Sequence, residues 1–309
     1  MQRFKNILVA TDTRLSDHPI VNEAAEIARH NNASLKIVDV VPEFPWTARL
    51  TLTNHEHMRD LIAQEKRTEL ERLAAPVRQM GVDVETKVLL GKTSVEIVRE
   101  VLRNDHDLVM RVAKGIDSTR KGFFGNTGLR LLRKCPCAVW LVAPNTTPKF
   151  EHVMGCVDTS SGDELDAELN DKVYELASSV SRYHDGRLSI VHAWSIYGEQ
   201  MMKGRMKPDE FQELETSTQH QVERLFDAFL REHGANVHAD DMHMVKGEAP
   251  EVISEFVRKQ RVALVVMGTV ARSGVAGMIM GNTAEQILNR IECSVLAVKP
   301  HDFVCPIRL

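Results

Sequence analysis

Apolar residues in this chain alternate between short unbroken runs and stretches where they recur every three or four positions. The run Ile7-Leu8-Val9-Ala10 sits inside Phe4–Thr11, and similar runs fill Leu35–Val41, Val84–Leu90, Leu108–Val112 and Ala138–Val142. Runs this short, bounded by turn residues, predict buried strands. Between them, Ser16-Asp17-His18-Pro19 opens a helix carrying Ile20, Ala24, Ile27 and Ala28, with proline suited to a first turn. A second helix bears Leu61, Ile62, Leu70, Leu73, Ala74 and Val77 and stops near Gly81; two more are expected over Ser94–Asn104 and from Asn126. Strand, helix and strand at this spacing predict βαβ units, hence a parallel sheet covered by helices on both faces. Pro42 to Asp60 reads as irregular.

The same programme then recurs. Shifting the C-terminal third by 156 positions superimposes Gly247–Pro300 on Gly91–Pro144 without a gap, with 13 of 54 positions identical. An offset of that size marks an internal repeat of a whole domain. The second copy is expected to hold strands at His152–Val157, Leu188–Trp194 and Val262–Met267, with a last strand at Ser294–Val298 matching Ala138–Val142. Helices are expected through Leu165, Leu169, Val173, Leu176 and Val180, and after Pro208; Ser195–Lys207 reads as irregular. Pro144-Asn145-Thr146-Thr147-Pro148 is the expected linker, giving domains 1–147 and 148–309.

Composition narrows the function classes. Hydrophobic content of 43%, charged content of 27% and a net charge of -4 give no general reason to expect nucleic-acid or membrane binding. The apolar runs, about six residues long, are far below a bilayer span. Five cysteines, an odd number, fit a reducing compartment. The chain reads as cytoplasmic.

Candidate chemistry collects at one edge. An open parallel sheet binds ligands beyond the carboxyl ends of its strands. Asp12 and Asp158 end the first strand of each copy, and loops ending at Gly125-Asn126-Thr127 and Gly281-Asn282-Thr283 follow the fourth. A glycine loop running into a helix start attracts anions. Local readings stand beside this one. The aspartates suit turns or helix caps, and the two glycines suit positive φ. Asn282-x-x-Glu285 and Thr283-x-x-Gln286 have capping-box spacing. A basic group, Lys114, Arg120, Lys121, Arg130, Arg133 and Lys134, surrounds the first loop and reads either as solvated surface or as an anion site. His55-x-His57 and the His238–His243 segment have residue types that bind metals, but exposure explains them more simply; no metal is expected. Cys135-Pro-Cys137 lacks redox Cys-x-x-Cys spacing and reads as core packing. The Trp46 loop and Met201–Met206 read as mobile connections, an adaptable apolar pocket or a partner surface.

The element order, Val9-Ala-Thr-Asp12, and Gly281-Asn-Thr-Ala-Glu-Gln286 before a strand ending Val298-Lys-Pro300 resemble the universal stress protein family, in particular its bacterial tandem members. The resemblance spans essentially the whole chain. It implies an α/β fold of two tandem Rossmann-like domains, each a five-stranded parallel sheet in the order 3-2-1-4-5. It implies paired domains joined through their last strands, with a further homodimer and unidentified protein partners open. It also implies resistance to stress such as DNA damage. Members that bind ATP carry Gly, two residues, Gly, nine residues, then Gly-Ser or Gly-Thr. Here the second copy reads Gly268, Ala271, Gly281, Asn282 and Thr283, with alanine for the second glycine and the hydroxyl one place late. The first copy has Val112 for the first glycine, then Gly115, Gly125, Asn126 and Thr127. ATP or another adenine nucleotide is the implied small-molecule ligand, favoured in the second copy with Asp158 toward base or ribose, and Asp12 in the equivalent place. Two alternatives stay open: weak ATPase or phosphoryl or nucleotidyl transferase activity, and binding of a lipid-like or apolar metabolite. No Gly-x-x-x-x-Gly-Lys stretch and no catalytic triad supports an enzyme.

Overall fold

The computed structural model of the chain describes residues 4–44, 54–113, 123–144, 149–160, 163–235, 241–270 and 280–309. Two compact units emerge: Met1–Lys149 with Val270–Met280 and Glu292–Leu309, and Phe150–Thr269 with Gly281–Ile291.

In the first unit the chain runs β1 (Asn6–Ala10), α1 (Pro19–Asn31), β2 (Ser34–Val41), α2 (His55–Gln79), β3 (Val84–Leu90), α3 (Thr93–Asn104), β4 (Leu108–Val112), α4 (Asn126–Lys134) and β5 (Ala138–Val142). The strands lie in the order β3-β2-β1-β4-β5, all parallel. This is the 3-2-1-4-5 order expected. The register explains why the runs are apolar throughout: Ile7 lies opposite both Leu35 and Leu108, and none of the three is more than 1% exposed. Each such side chain contributes about 1.5–3 kcal/mol by leaving water. The irregular stretch expected to Asp60 is shorter than that, since α2 already begins at His55.

Beyond β5 the same sheet carries a sixth strand, β10 (Ser294–Val298), which pairs antiparallel with it. Val295 lies opposite Leu141 and Ala297 opposite Val139, and the Ala143 amide donates to Ser294 Oγ at 2.9 Å. The last strands of the two repeats are thereby hydrogen-bonded together.

The second unit runs β6 (His152–Val157), α5 (Glu164–Tyr183), β7 (Arg187–Trp194), α6 (Glu199–Lys203), α7 (Pro208–Glu232), β8 (Met242–Lys246), α8 (Ala249–Gln260), β9 (Leu264–Gly268) and α9 (Asn282–Leu288). Its parallel order, β9-β6-β7-β8, repeats that of β4-β1-β2-β3. Asp163 caps α5 by accepting from the Leu165 amide at 2.9 Å. Inside the segment expected to be irregular, α6 forms a single short helix. Its Met202 and the nearby Met206 pack, partly buried, on a cluster of Trp194, Ile196, Phe211 and Val222. Burying those methionines anchors the segment.

Gly91 and Gly247 show the repeat at backbone level. They follow β3 and β8 with φ of 134° and 138°, a region side-chain-bearing residues rarely enter. Each donates its amide to the end of the neighbouring strand, Gly91 to Val41 O and Gly247 to Trp194 O.

Candidate functional site

In the second unit, β6 hands the chain to Asp158 at the carboxyl edge of the sheet. Asn170 of α5, only 8% exposed, clamps the backbone there: its Oδ1 accepts from the Asp158 amide at 2.9 Å and its Nδ2 donates to the Asp158 carbonyl at 2.8 Å. The carboxylate Oδ1 accepts from the Ser160 amide at 3.1 Å and from Ser160 Oγ at 2.5 Å. Asp158 therefore does shape a turn, as the local reading expects, but the cap of α5 is Asp163. Across the edge, the Gly281 amide donates to Thr269 O at 3.1 Å, and the Gly281 carbonyl accepts from the Glu285 amide in the first hydrogen bond of α9. A cavity of about 400 Å³ lies between these elements, and Asp158, Ser160, Trp194, Gln221, Glu248 and Thr283 are among its walls.

The sequence-derived residues divide around it. Asp158 and Thr283 come together in the cavity, while Gly268, Gly281 and Asn282 are not among its described walls. Gly268 has a packing reason to be glycine. A Cβ built there meets Leu169 Cδ2 at 2.6 Å, so Gly268→Ala should cost about 1–3 kcal/mol through overpacking. Denaturant unfolding of the single variants and of Gly268→Ala/Leu169→Ala checks this. The double variant should recover part of the loss, and a fully stable Gly268→Ala protein sinks the packing account.

Two local expectations are corrected. Gly125 and Gly281 have φ of -66° and -59°, so neither position needs a left-handed backbone. Nor do the capping boxes form: Gly281 itself is the N-cap of α9, without a side-chain cap bond. Asn282 and Thr283 therefore fall inside the first turn, one or two places late, and both are exposed.

The first unit presents a different edge. Asp12 is 8% exposed, and Arg14 closes on it as a fork, with Nε to Oδ1 at 2.8 Å and a second guanidinium nitrogen to Oδ2 at 2.6 Å. Burial pushes the Asp12 carboxyl up. The Arg14 side-chain and backbone donors, with the charges of Arg14 and Lys66, outweigh it and hold the group below its ordinary range. Beside it, Asp39 accepts from the Thr13 amide at 2.8 Å, Thr13 Oγ1 at 2.7 Å and the buried ammonium of Lys66. Arg111 of β4 donates to Ala10 O at 3.2 Å. Its own burial lowers its pKa, against the pull of Asp12 and Asp39.

At α4, the Gly125 amide donates to Ala113 O at 2.9 Å, with Asn126 exposed and Thr127 half-buried just after it. Gly115 and Ala271 lie outside the described residues, as do Lys114, Arg120 and Lys121 of the basic group, Trp46 and His238. Among the described residues no cluster of three or more His, Cys, Asp or Glu is arranged to hold a metal, and no helix is long and apolar enough to cross a membrane.

Sequence reasoning missed Trp194, Gln221 and Glu248. Trp194 ends β7 at the carboxyl edge of the sheet, a signal that was available. Gln221 is one of many polar residues on α7 and carried none.

The sequence profile of the universal stress protein family matches residues 3–143 and again 149–299. Universal stress protein E of Escherichia coli K12 is 26% identical over 316 aligned residues, spanning 100% of this chain and 98% of that protein. Among solved structures, a protein of unknown function from Pseudomonas aeruginosa PAO1 superimposes with a TM-score of 0.75 at 20% identity, covering 97% of this chain and 94% of that one. A universal stress protein from Archaeoglobus fulgidus DSM 4304 does so with 0.63 at 17% identity, covering 95% and 98%. With two profile matches that together take in nearly the whole sequence, this chain belongs to the universal stress protein family and carries its domain twice.

Proposed function

We propose that the protein is a cytoplasmic stress-response protein that binds an adenine nucleotide or nucleoside in the second repeat and signals the bound state to protein partners. The observation that carries this reading is the cavity in which Asp158 and Thr283 meet. Its volume of about 400 Å³ falls in the range of small-molecule sites. Trp194, Val222 and Pro250 supply apolar wall for a flat base, and Asp158 is an acceptor for ribose hydroxyls or an exocyclic amine. Asp158 and Glu248 are both acidic, and no Lys or Arg stands among the described walls. Phosphates accordingly belong outside the cavity, toward Gly281 and Asn282 at the start of α9. In the first repeat, Asp12 is already paired with Arg14, which favours the second repeat as the ligand site.

The test is equilibrium dialysis with labelled ATP, ADP and adenosine, together with native mass spectrometry of untreated protein. Asp158→Ala should weaken binding roughly 10- to 100-fold, the worth of a hydrogen bond to a charged group. Equal affinity in the variant removes the site from this cavity. No binding of any adenine compound removes the function.

A lipid-like ligand is the second reading. It is favoured by the methionine-lined cluster of Trp194, Ile196, Phe211 and Val222, with Tyr197 93% exposed beside it. An apolar metabolite retained in native mass spectra would support it.

A further inference from the structure

Three of the five cysteines gather behind the C-terminal end of α4. Cys135 ends that helix, donates its amide to Leu131 O at 2.9 Å, and is fully buried. Cys137, two residues on and half-buried, places its sulfur 3.5 Å from that of Cys135. Cys305 donates its thiol to Lys134 O at 3.2 Å. Lys299 reaches the same helix end, giving Nζ to Leu132 O at 2.6 Å while its ammonium rests over the Phe303 ring. The last carbonyls of α4 are thus satisfied by a cysteine amide, a lysine and a thiol, and the two remaining thiols face each other.

We propose that Cys135 and Cys137 form a reversible dithiol modification site, which a peroxide-class oxidant closes to an intramolecular disulfide. The sulfurs are in contact and need to approach by roughly 1.5 Å more to bond. Cys137 is the thiol attacked first, because Cys135 has no exposed surface. The Cys137 sulfur attacks one peroxide oxygen and the O–O bond breaks. Cys137 is left as a sulfenic acid, and the other oxygen departs as water with the thiol proton. Cys135 then attacks the oxidised sulfur, and its proton leaves with the hydroxyl as a second water. Two thiols have lost two electrons and two protons, and the peroxide has gained both.

Two features set the behaviour of the site. Only Pro136 separates the cysteines, so the disulfide closes a small ring; strained disulfides are the readily reduced ones, which makes the modification reversible. The contact with Cys135, together with burial, raises the Cys137 pKa well above its ordinary value, so Cys137 rests as a thiol and reacts slowly. A slow dithiol registers sustained oxidant rather than brief fluctuation.

The experiment exposes reduced full-length protein to hydrogen peroxide, alkylates it after denaturation, and maps the peptides. Alkylatable thiols should fall from five to three, with Cys135 joined to Cys137, and dithiothreitol should restore all five. Cys135→Ser should stop at a Cys137 sulfenic acid captured by dimedone, and Cys137→Ser should leave Cys135 alkylatable. Five thiols surviving exposure overturn the proposal. So does a bond from either residue to Cys305 or to a second chain, or loss that dithiothreitol does not reverse. The wild-type map decides the matter even where a serine variant fails to fold.

Discussion

Asp39→Ala should lower the unfolding free energy by about 3–5 kcal/mol, the cost of leaving a buried charge without its partner. The Lys66 side chain is 9% exposed and that of Asp39 6%, so neither charge has ready access to water. Asp39 also accepts from the Thr13 amide, Thr13 Oγ1 and, at 2.6 Å, the Val40 amide, which leaves three further donors stranded when the carboxylate goes. The turn after β1 depends on those bonds, and with it the placement of Asp12 and Arg14. Urea unfolding followed by circular dichroism measures the loss. Asp39→Ala/Lys66→Met should regain much of it, because removing both charges costs far less than removing one. A loss below about 1 kcal/mol for Asp39→Ala would show that Lys66 finds solvent and that the pair is a surface one.

That prediction rests on a contact the sequence concealed. Lys66 lies on α2 among apolar positions correctly read as helical, yet periodicity treats a lysine as solvated, and no spacing rule joins it to an aspartate 27 residues earlier on a strand. Arg14 is similar. It sits in a turn, half-exposed, and its closure on Asp12 depends on rotamers rather than pattern. What periodicity does carry is the backbone. Strands buried on both faces must be apolar runs, and βαβ connections have one hand, so a parallel sheet follows from a few short stretches, whereas its 3-2-1-4-5 order came from the family resemblance. The repeat was equally visible, since Gly91 and Gly247 stand at the same place in the two copies, and the structure gives both the same positive φ. Glycines were legible as special but not as to why. Gly268 answers to the Leu169 side chain across the α5 interface, and Gly281, with a φ of -59°, does not answer to a left-handed backbone. The cavity was half legible: Asp158, Glu248 and Thr283 stand at strand and helix ends, where topology puts ligands, whereas Gln221 comes from the middle of α7, which tertiary packing brings over the edge.

Val295→Asp should unpair β10 and cost about 4 kcal/mol, since it sets a carboxylate at a fully buried position opposite the apolar Leu141 of β5. Hydrogen bonds to β5 depend on that strand lying flat: Val295 faces Leu141, Leu296 faces Trp140, and Ala297 faces Val139. Trp140 is the largest of the fully buried side chains among the described residues, so loss of its neighbour reaches well into the first unit's core. Without β10, β5 becomes an open edge with unsatisfied amides and carbonyls. Limited proteolysis should then cut near Glu292–Ser294 far sooner than in the wild type, and amide exchange should accelerate along β5. Val304→Asp, at a site 59% exposed, is the control and should shift stability by no more than about 0.5 kcal/mol. Should Val295→Asp unfold outright, wild-type exchange still decides. Slow amides across β5 and β10 support the pairing, and fast exchange along β10 beside a protected β4 counts against it.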